Sequence, residues 1–336
     1  MKLLVAGLGL IGTRHLQHAL AVPQIDVVGV IDPAQHQDAV PHFASIEAVD
    51  LDADAIVIAT PSHLHADHAE AAAKRGWHML IEKPVAHSLD AADRIIAAAT
   101  RAGVRTLVGH HRRHHAAVAQ LKSLLESGAI GQPLLASMIW AMKKPDAYFD
   151  VPWRAGPDGS PVMLNLVHEV DLLRYLFGDV TAVRGVGSNA VRGAARVESG
   201  AAVLQFASGA SASIAFSDAS ASPFGFEAGT GENPNIASTG EDMLRIIGTE
   251  GAVAFPSLRV WSGAKDWSEA PTIHTDPTDD VIALKAHRHH NQDSVYADQD
   301  CTQPHDESGL APYRHTCIHI RSPDKADAFI NWHAFT

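Results

Sequence analysis

Cysteine is almost missing from this chain: there are two in 336 residues, Cys301 and Cys317, both late. A disulfide framework is therefore not expected, and a reducing, cytoplasmic setting is. Positive charge is also scarce, with 26 Lys and Arg against 38 Asp and Glu and a net charge of -12. That balance argues against nucleic acid as a main partner, although a local arginine cluster can still hold an anionic small molecule. No apolar run approaches the roughly 18 residues of a membrane span, so no membrane partner is expected. The opening apolar stretch is followed by no small-residue cleavage site, and is expected to belong to the fold rather than to a signal peptide. Aromatic residues make up only 6 %, yet 46 % of the chain is hydrophobic and 19 % charged, enough apolar material for two domains of ordinary size.

What is present begins at the first residues. Met1-Lys-Leu-Leu-Val-Ala runs as an apolar strand into Gly7-Leu8-Gly9-Leu10-Ile11-Gly12, a G-x-G-x-x-G loop, with helix-compatible sequence after it. Gly7 permits a tight turn and Gly9 lets the backbone approach a pyrophosphate. Gly12 lets helix and strand pack closely, with the helix N-terminus aimed at the anion. Leu10 and Ile11 join the glycines as expected cofactor-binding residues. Asp32 lies 20 residues after Gly12, at the end of the next apolar run, and suits a ribose hydroxyl pair. Its charge repels a 2′-phosphate, and Pro33-Ala34 supplies no arginine, so NAD is expected over NADP. Arg14, just past the loop, is either a phosphate contact or a solvated helix residue.

Apolar runs alternate with helical patterns through the first third. Lys2 to Ala6, Val27 to Ile31, Ala55 to Thr60, His78 to Glu82 and Arg105 to Gly109 read as buried parallel strands. His65 to Arg75 and Leu89 to Arg101 read as helices stopped by Gly76 and Gly103. This predicts an α/β fold with a doubly wound sheet, and a crossover after Asp32 reduced to a turn of helix. Beyond about residue 120 a largely antiparallel sheet is expected: Leu134 to Trp140, Val180 to Gly187, Ala201 to Ala207, Ala210 to Phe216, Met243 to Gly248 and Arg259 to Ser262. One helix, Val162 to Phe177, interrupts it, and residues 219 to 240 read as a long loop. The expected domains are 1-118 for the nucleotide, 119-285 for substrate and oligomerisation, and an atypical tail at 286-336. The tail holds both cysteines and seven of the 22 histidines but shows little amphipathic period. It reads as an irregular surface segment or as the product of a frameshift; no repeated ligand spacing supports a zinc site, and no metal is expected.

Three segments could turn a cofactor loop into an active site. Ala59-Thr60-Pro61 and Glu82-Lys83-Pro84 end strands at the carboxyl edge, where doubly wound sheets bind ligands. The Lys83 ammonium can polarise a substrate hydroxyl and help hold nicotinamide, or it can pair with Glu82 at the surface. Asn165-Leu-Val-His168-Glu-Val-Asp171 places His168 three residues from Asn165 and from Asp171, on one helix face. A histidine with an orienting partner is a proton shuttle suited to hydride transfer.

These residues together resemble the glucose-fructose oxidoreductase, inositol dehydrogenase and MocA (Gfo/Idh/MocA) family. The resemblance runs through the glycine loop, Thr60-Pro61 with His65 beyond it, Glu82-Lys83-Pro84, Gly109-His-His-Arg-Arg113, and His168 to Gly178. It covers roughly residues 1 to 260. It implies a Rossmann domain and a C-terminal α+β domain with a large, mostly antiparallel open sheet that forms an oligomer interface in a homodimer or homotetramer. It implies Thr60, Pro61, His65 and Glu82 as cofactor-site residues and Lys83 and His168 as catalytic ones, with Asp171 or Asn165 holding the constellation. One position departs. Many family members carry Asp four residues before the histidine, where this chain has Leu164. Asn165 beside it can orient a hydroxyl but cannot take a proton, so the relay is expected to rest on His168 with Lys83.

The resemblance also puts Arg112, Arg113 and Arg154 near the substrate. A guanidinium fork suits a carboxylate, and interdomain ion pairing is the equal alternative. Tyr148 and Trp153 either wall the pocket or fill core. The expected activity is NAD-dependent oxidation of a secondary alcohol on a small polyol, sugar or cyclic hydroxy acid. Two other readings stay open: a dinucleotide-binding sensor or scaffold with little catalysis, and transient oxidation with elimination on a glycoside.

Overall fold

The computed structural model describes residues 1–34 and 40–275. The tail expected at 286-336 lies outside the described residues, as do both cysteines. Two compact units divide the chain: one takes Met1–His111, the other begins at Arg112.

The first unit is built on strands β1 (Lys2–Ala6), β2 (Asp26–Ile31), β3 (His42–Phe43), β4 (Ala55–Ile58), β5 (His78–Ile81) and β6 (Thr106–Val108). They pair in parallel in the order β3-β2-β1-β4-β5-β6, the doubly wound order in which the chain reverses direction beside β1. Leu4, Ile56, Ile58 and Ile81 are completely buried, because a sheet covered on both faces leaves no solvent side for polar residues. Helices α1 (Leu10–Ala21), α2 (His65–Lys74) and α3 (Leu89–Ala102) supply the cover. Alanines at 66, 69, 72 and 73 of α2 and 91, 98 and 99 of α3 are buried in the same core as Ile95 and Trp77. The Ser88 hydroxyl caps α3 by accepting from the Ala91 N–H, and Gly103 ends the helix at φ 67°. The crossover after Asp32 contains a short strand, β3, paired along the outer edge of β2.

The second unit carries β7 (Pro133–Ala141), β8 (Val180–Ser188), β9 (Ser199–Phe206), β10 (Ser211–Ser217), β11 (Leu244–Gly248), β12 (Gly251–Phe255), β13 (Val260–Ser262) and β14 (Thr272–His274). Their order is β14-β13-β12-β11-β7-β10-β9-β8, and every pairing is antiparallel except β7 with β10. Helices α4 (Ala116–Glu126), α5 (Pro152–Ala155), α6 (Pro161–Leu164), α7 (Leu166–Phe177) and α8 (Phe226–Thr230) complete it. Burial alternates along β9, β10 and β11, as a sheet with one covered face requires. Trp140, Leu204, Phe206, Ile214 and Ile246 point into the core with Leu121 and Leu124 of α4 and Leu172 and Leu173 of α7. Leu135, Val203, Val186 and Ile247 are exposed.

Two expectations are revised. The helix predicted over Val162 to Phe177 is two helices, α6 and α7, parted at Asn165 (φ -116°, ψ -56°). The His168 N–H bonds back to the Asn165 carbonyl, three residues away, and the tighter turn breaks the helical run. Residues 219 to 240 hold α8, whose Phe226 is fully buried in the core.

Candidate functional site

In the first unit the glycine loop closes at two positions and opens at one. Gly7 has φ 85°, and a side chain there would meet the backbone of Ala59 and Thr60 at 2.8 Å. A Cβ on Gly12 would run into the Gly7 carbonyl. A Cβ on Gly9 would meet nothing within 4 Å. Close packing thus requires Gly7 and Gly12, while Gly9 borders open space at the N-terminus of α1. Leu10 is 80 % exposed and Ile11 38 % exposed, giving that opening an apolar border. The Asp32 carboxylate accepts from the Leu8 N–H (2.7 Å) and the Ala34 N–H (2.9 Å), which locks it against the loop. Thr13 also ties back, donating from Oγ1 to the Leu8 carbonyl. A loop with an open glycine, a helix N-terminus and a fixed acid beside it fits a dinucleotide. Arg14 is exposed.

The carboxyl ends of β4 and β5 are cross-linked. The buried His65 ring donates from Nε2 to the Thr60 carbonyl (2.8 Å), and its Nδ1 faces the carbonyls of Pro84 (3.1 Å) and Val85 (3.2 Å). Burial pushes the imidazole pKa down, against the raising effect of those carbonyls. The Thr60 hydroxyl bonds His68 Nδ1 at 2.9 Å. Pro61 opens the turn that leads into α2. Glu82 meets His15 of α1 at 2.8 Å and accepts the Lys83 N–H at 3.0 Å. Burial alone would raise the Glu82 carboxyl; His15 and the Lys83 charge outweigh it and hold the group below its ordinary range. Thr60, Pro61, His65, Glu82 and Lys83 thus gather at one sheet edge, with Lys83 half-buried.

The second unit gathers charge instead. His168 and Asp171 are buried on α7, each 6 % exposed. Both Asp171 oxygens accept from Arg113, at 2.7 Å from Nε and 2.6 Å from Nη2. Next to it, the buried Arg112 bonds Glu169 at 2.5 Å and Glu227 at 2.7 Å and stacks on Phe226. Burial drives the Glu169 carboxyl up to about 7, with the Glu227 charge adding and Arg112 opposing. Burial disfavours the Arg112 cation, but Glu169, Glu227 and Glu232 together raise its pKa further. Arg112 and Arg113 are thus anchored by carboxylates of their own unit.

Asn165 is at the start of α7 but does not cap it; its Oδ1 accepts from Lys144 Nζ at 3.0 Å. Lys144 lies 3.8 Å from Asp218 and over the Tyr148 ring, and Arg154 stacks on the same ring and near Trp153. Tyr148 is half-buried, and burial raises its hydroxyl pKa against the pull of Arg154. Trp153 is 51 % exposed. Asp218, fully buried, takes Arg196 at 2.7 Å and Arg192 at 2.9 Å. Lys144 and this arginine–carboxylate web were not singled out from the sequence. The signal for Lys144 was the one that marked Lys83: a lysine just past the carboxyl end of a strand.

The glycine loop with its fixed acid, at the head of a doubly wound sheet, marks a nucleotide-dependent oxidoreductase class. The chain belongs to the Gfo/Idh/MocA family: residues 1–110 match the oxidoreductase family's NAD-binding Rossmann fold, and 118–254 match its GFO/IDH/MocA C-terminal domain. It is 27 % identical over 299 residues to the uncharacterized oxidoreductase YrbE of Bacillus subtilis, covering 84 % of this chain and 79 % of that one. It is 30 % identical over 200 residues to inositol 2-dehydrogenase of Salmonella typhimurium, covering 53 % of this chain and 55 % of that enzyme. The WlbA dehydrogenase of Bordetella pertussis, solved with NADH and UDP-GlcNAcA, superposes with a TM-score of 0.67 at 25 % identity, over 84 % of this chain and 80 % of that one. Among the described residues no helix is long and apolar enough to cross a membrane.

Proposed function

We propose that the protein is an NAD-dependent dehydrogenase that oxidises a secondary alcohol on a small polyol, sugar or cyclic hydroxy acid. The observation that carries this reading is the loop in which Gly7 and Gly12 are packed shut while Gly9 faces open space, with Asp32 fixed beside it. Asp32 favours NAD over NADP, because its charge opposes a 2′-phosphate. When bound, NAD supplies the acceptor for the hydride that leaves the carbinol carbon. His168 takes the hydroxyl proton as the C–H bond breaks, and Lys83 polarises the hydroxyl oxygen. Arg113 clamps Asp171 in the middle of α7, and Lys144 holds Asn165 at its start. His65 holds the strand ends that carry Thr60 and Lys83.

The test is NAD reduction on a panel of polyols, sugars and hydroxy acids. Lys83→Ala and His168→Ala should each lower kcat by about 10²- to 10⁴-fold, the usual contribution of a positioned acid or base. Full turnover in both variants would falsify the mechanism. The exposed, small-residue face of the second sheet, with Val203 and Val186, supports a homodimer or homotetramer. Val203→Glu should shift the protein to monomer in analytical ultracentrifugation. A cytoplasmic location goes with two cysteines in the whole chain.

A further inference from the structure

At the carboxyl end of β5 the main chain passes from strand partners to side-chain partners. The Glu82 N–H still joins the ladder, donating to the Ile58 carbonyl at 2.9 Å. At Lys83 the strand has ended, and a partly buried main-chain N–H needs another acceptor. The acceptor is the carboxylate of the preceding residue: Glu82 Oε2 takes the Lys83 N–H at 3.0 Å. The other oxygen, Oε1, meets Nε2 of His15 at 2.8 Å. His15 lies on α1, one turn past Gly12, and its side chain and that of Glu82 are each 14 % exposed. Gly109, just past β6, leaves room for this carboxylate. A Cβ there would stand 2.9 Å from Oε1 and 3.4 Å from Oε2.

Burial would raise the Glu82 carboxyl, but the bond from His15 and the Lys83 charge outweigh it, so Glu82 is a carboxylate at neutral pH. A carboxylate only accepts, and His15 Nε2 therefore carries the proton and donates it in this bond. The bridge runs from α1 through the imidazole to Oε1, and from Oε2 to the Lys83 main chain. Packing alone does not call for it. Leu16 and Ala19 already bury the apolar side of α1, and a mostly buried ionic contact carries a desolvation cost that an apolar pair would avoid. The other flank of Lys83 is fixed as well, since His65 spans the carbonyls of Thr60, Pro84 and Val85. A lysine whose main chain is pinned on both sides has the support that a group with one working position requires.

We propose that His15 and Glu82 are positioning residues for Lys83: their bridge ties the lysine's main chain to the helix that begins at the glycine loop, so that lysine and dinucleotide seat share one frame. His15 and Glu82 exchange no proton or hydride with the substrate; they act through Lys83. Gly109 belongs to the same device, because its missing side chain is the space in which the carboxylate sits. The inference rests on the dehydrogenase reading for the role of Lys83; the bridge itself does not need turnover, and it is tested both with and without it.

Amide hydrogen exchange at residue resolution, read by mass spectrometry on the full chain without substrate, tests the bridge directly. His15→Ala should speed exchange of the Lys83 N–H about tenfold or more, the scale of one lost hydrogen bond to a charged group. The Met79 N–H, bonded to the Arg105 carbonyl at 2.9 Å within the sheet, should not change. His15→Gln, whose amide donates over a similar reach, should restore the protection. Gly109→Ala alters neither partner of the bridge, yet it should push the carboxylate aside and reproduce His15→Ala. Kinetics on the substrate panel then tests what the bridge is for. His15→Ala and Gly109→Ala should each lower kcat about 10- to 100-fold, the cost of misplacing a reacting group by about 1 Å. In a Lys83→Ala background His15→Ala should cost nothing more, since no lysine is left to position. The proposal is overturned if Lys83 exchange is unmoved in His15→Ala, if Met79 exchange speeds up equally, if kcat stays at the wild-type value, or if the loss is as large without Lys83 as with it. A local change in exchange with no NAD reduction on any compound would sink the dehydrogenase and keep the bridge; turnover with Lys83 exchange unmoved would do the reverse.

Discussion

In the first unit the surface around the glycine loop is made of backbone. Gly7, Gly9 and Gly12 shape it by lacking side chains, and Asp32 is held by two main-chain N–H groups. In the second unit the buried polar structure is instead made of side chains paired across long stretches of sequence: Arg112 with Glu169 and Glu227, Arg113 with Asp171, Lys144 with Asn165, Arg192 and Arg196 with Asp218. A backbone site is rigid and generic, and serves a cofactor shared by many enzymes. Buried ion pairs are held by partners far apart in sequence, and removing either partner strands a charge away from water.

The contrast predicts where stability is vulnerable. The largest loss should come from Arg112→Met, which leaves Glu169, Glu227 and Glu232 without their shared cation inside the second unit. Breaking a buried pair from one side costs about 3–5 kcal/mol, readable as a lower urea midpoint. The first unit offers its own control in Arg94, which bridges Asp67 and Glu70 on the surface. Arg94→Ala should leave the midpoint almost unmoved, since exposed pairs are screened by water. Equal losses in the two variants would erase the distinction.

Glu169 sharpens the same point through pH. Its carboxyl is raised from 4.5 to about 7 by burial, so the folded protein holds a proton there that the unfolded chain releases. The associated stability is complete below 4.5 and is lost as pH rises through about 7. The full shift corresponds to at most about 3 kcal/mol. Glu169→Gln, neutral at every pH, should therefore lose less stability than the wild type between about pH 5 and about pH 8. Parallel urea midpoints across that range would mean that Arg112 keeps Glu169 ionised throughout.

The difference in material also explains what could be read from the sequence. Glycine spacing is local: Gly7, Gly9, Gly12 and Asp32 stand within one βαβ unit, so the loop and the parallel sheet are legible in the sequence. The alternation in β9 and β10 was legible for the same reason. The partners of Asp218 were not, because Arg192 and Arg196 reach it only once β9 and β10 have paired in antiparallel register. The break at Asn165 was hidden too. Apolar spacing runs through Val162 to Phe177 without interruption, and what accompanies the break, the bond from Lys144, comes from the end of a different strand. For Arg113 the sequence left a substrate carboxylate and an ion pair as equal alternatives, because the Asp171 that receives it stands 58 residues away.

Smaller effects test the backbone side. Gly12→Ala puts a methyl group against the Gly7 carbonyl, and the strand–helix junction must move to admit it. Overpacking of this kind costs about 1–3 kcal/mol, seen in the unfolding midpoint, and NAD affinity should fall with it because the loop shifts.

Gly9→Ala is the mildest change and the most discriminating. Its methyl group meets nothing within 4 Å, and Gly9 has an extended backbone that alanine adopts readily, so the midpoint should stay where it is. If the open space beside Gly9 is where the pyrophosphate lies, that methyl group stands in its way. NAD binding, measured by calorimetry or by quenching of tryptophan fluorescence, should then weaken roughly tenfold or more with the fold intact. Such a result separates the glycine that the ligand needs from the two that the fold needs. Unchanged NAD affinity would put the ligand elsewhere on the unit, and the claim that this surface is built from backbone would go with it.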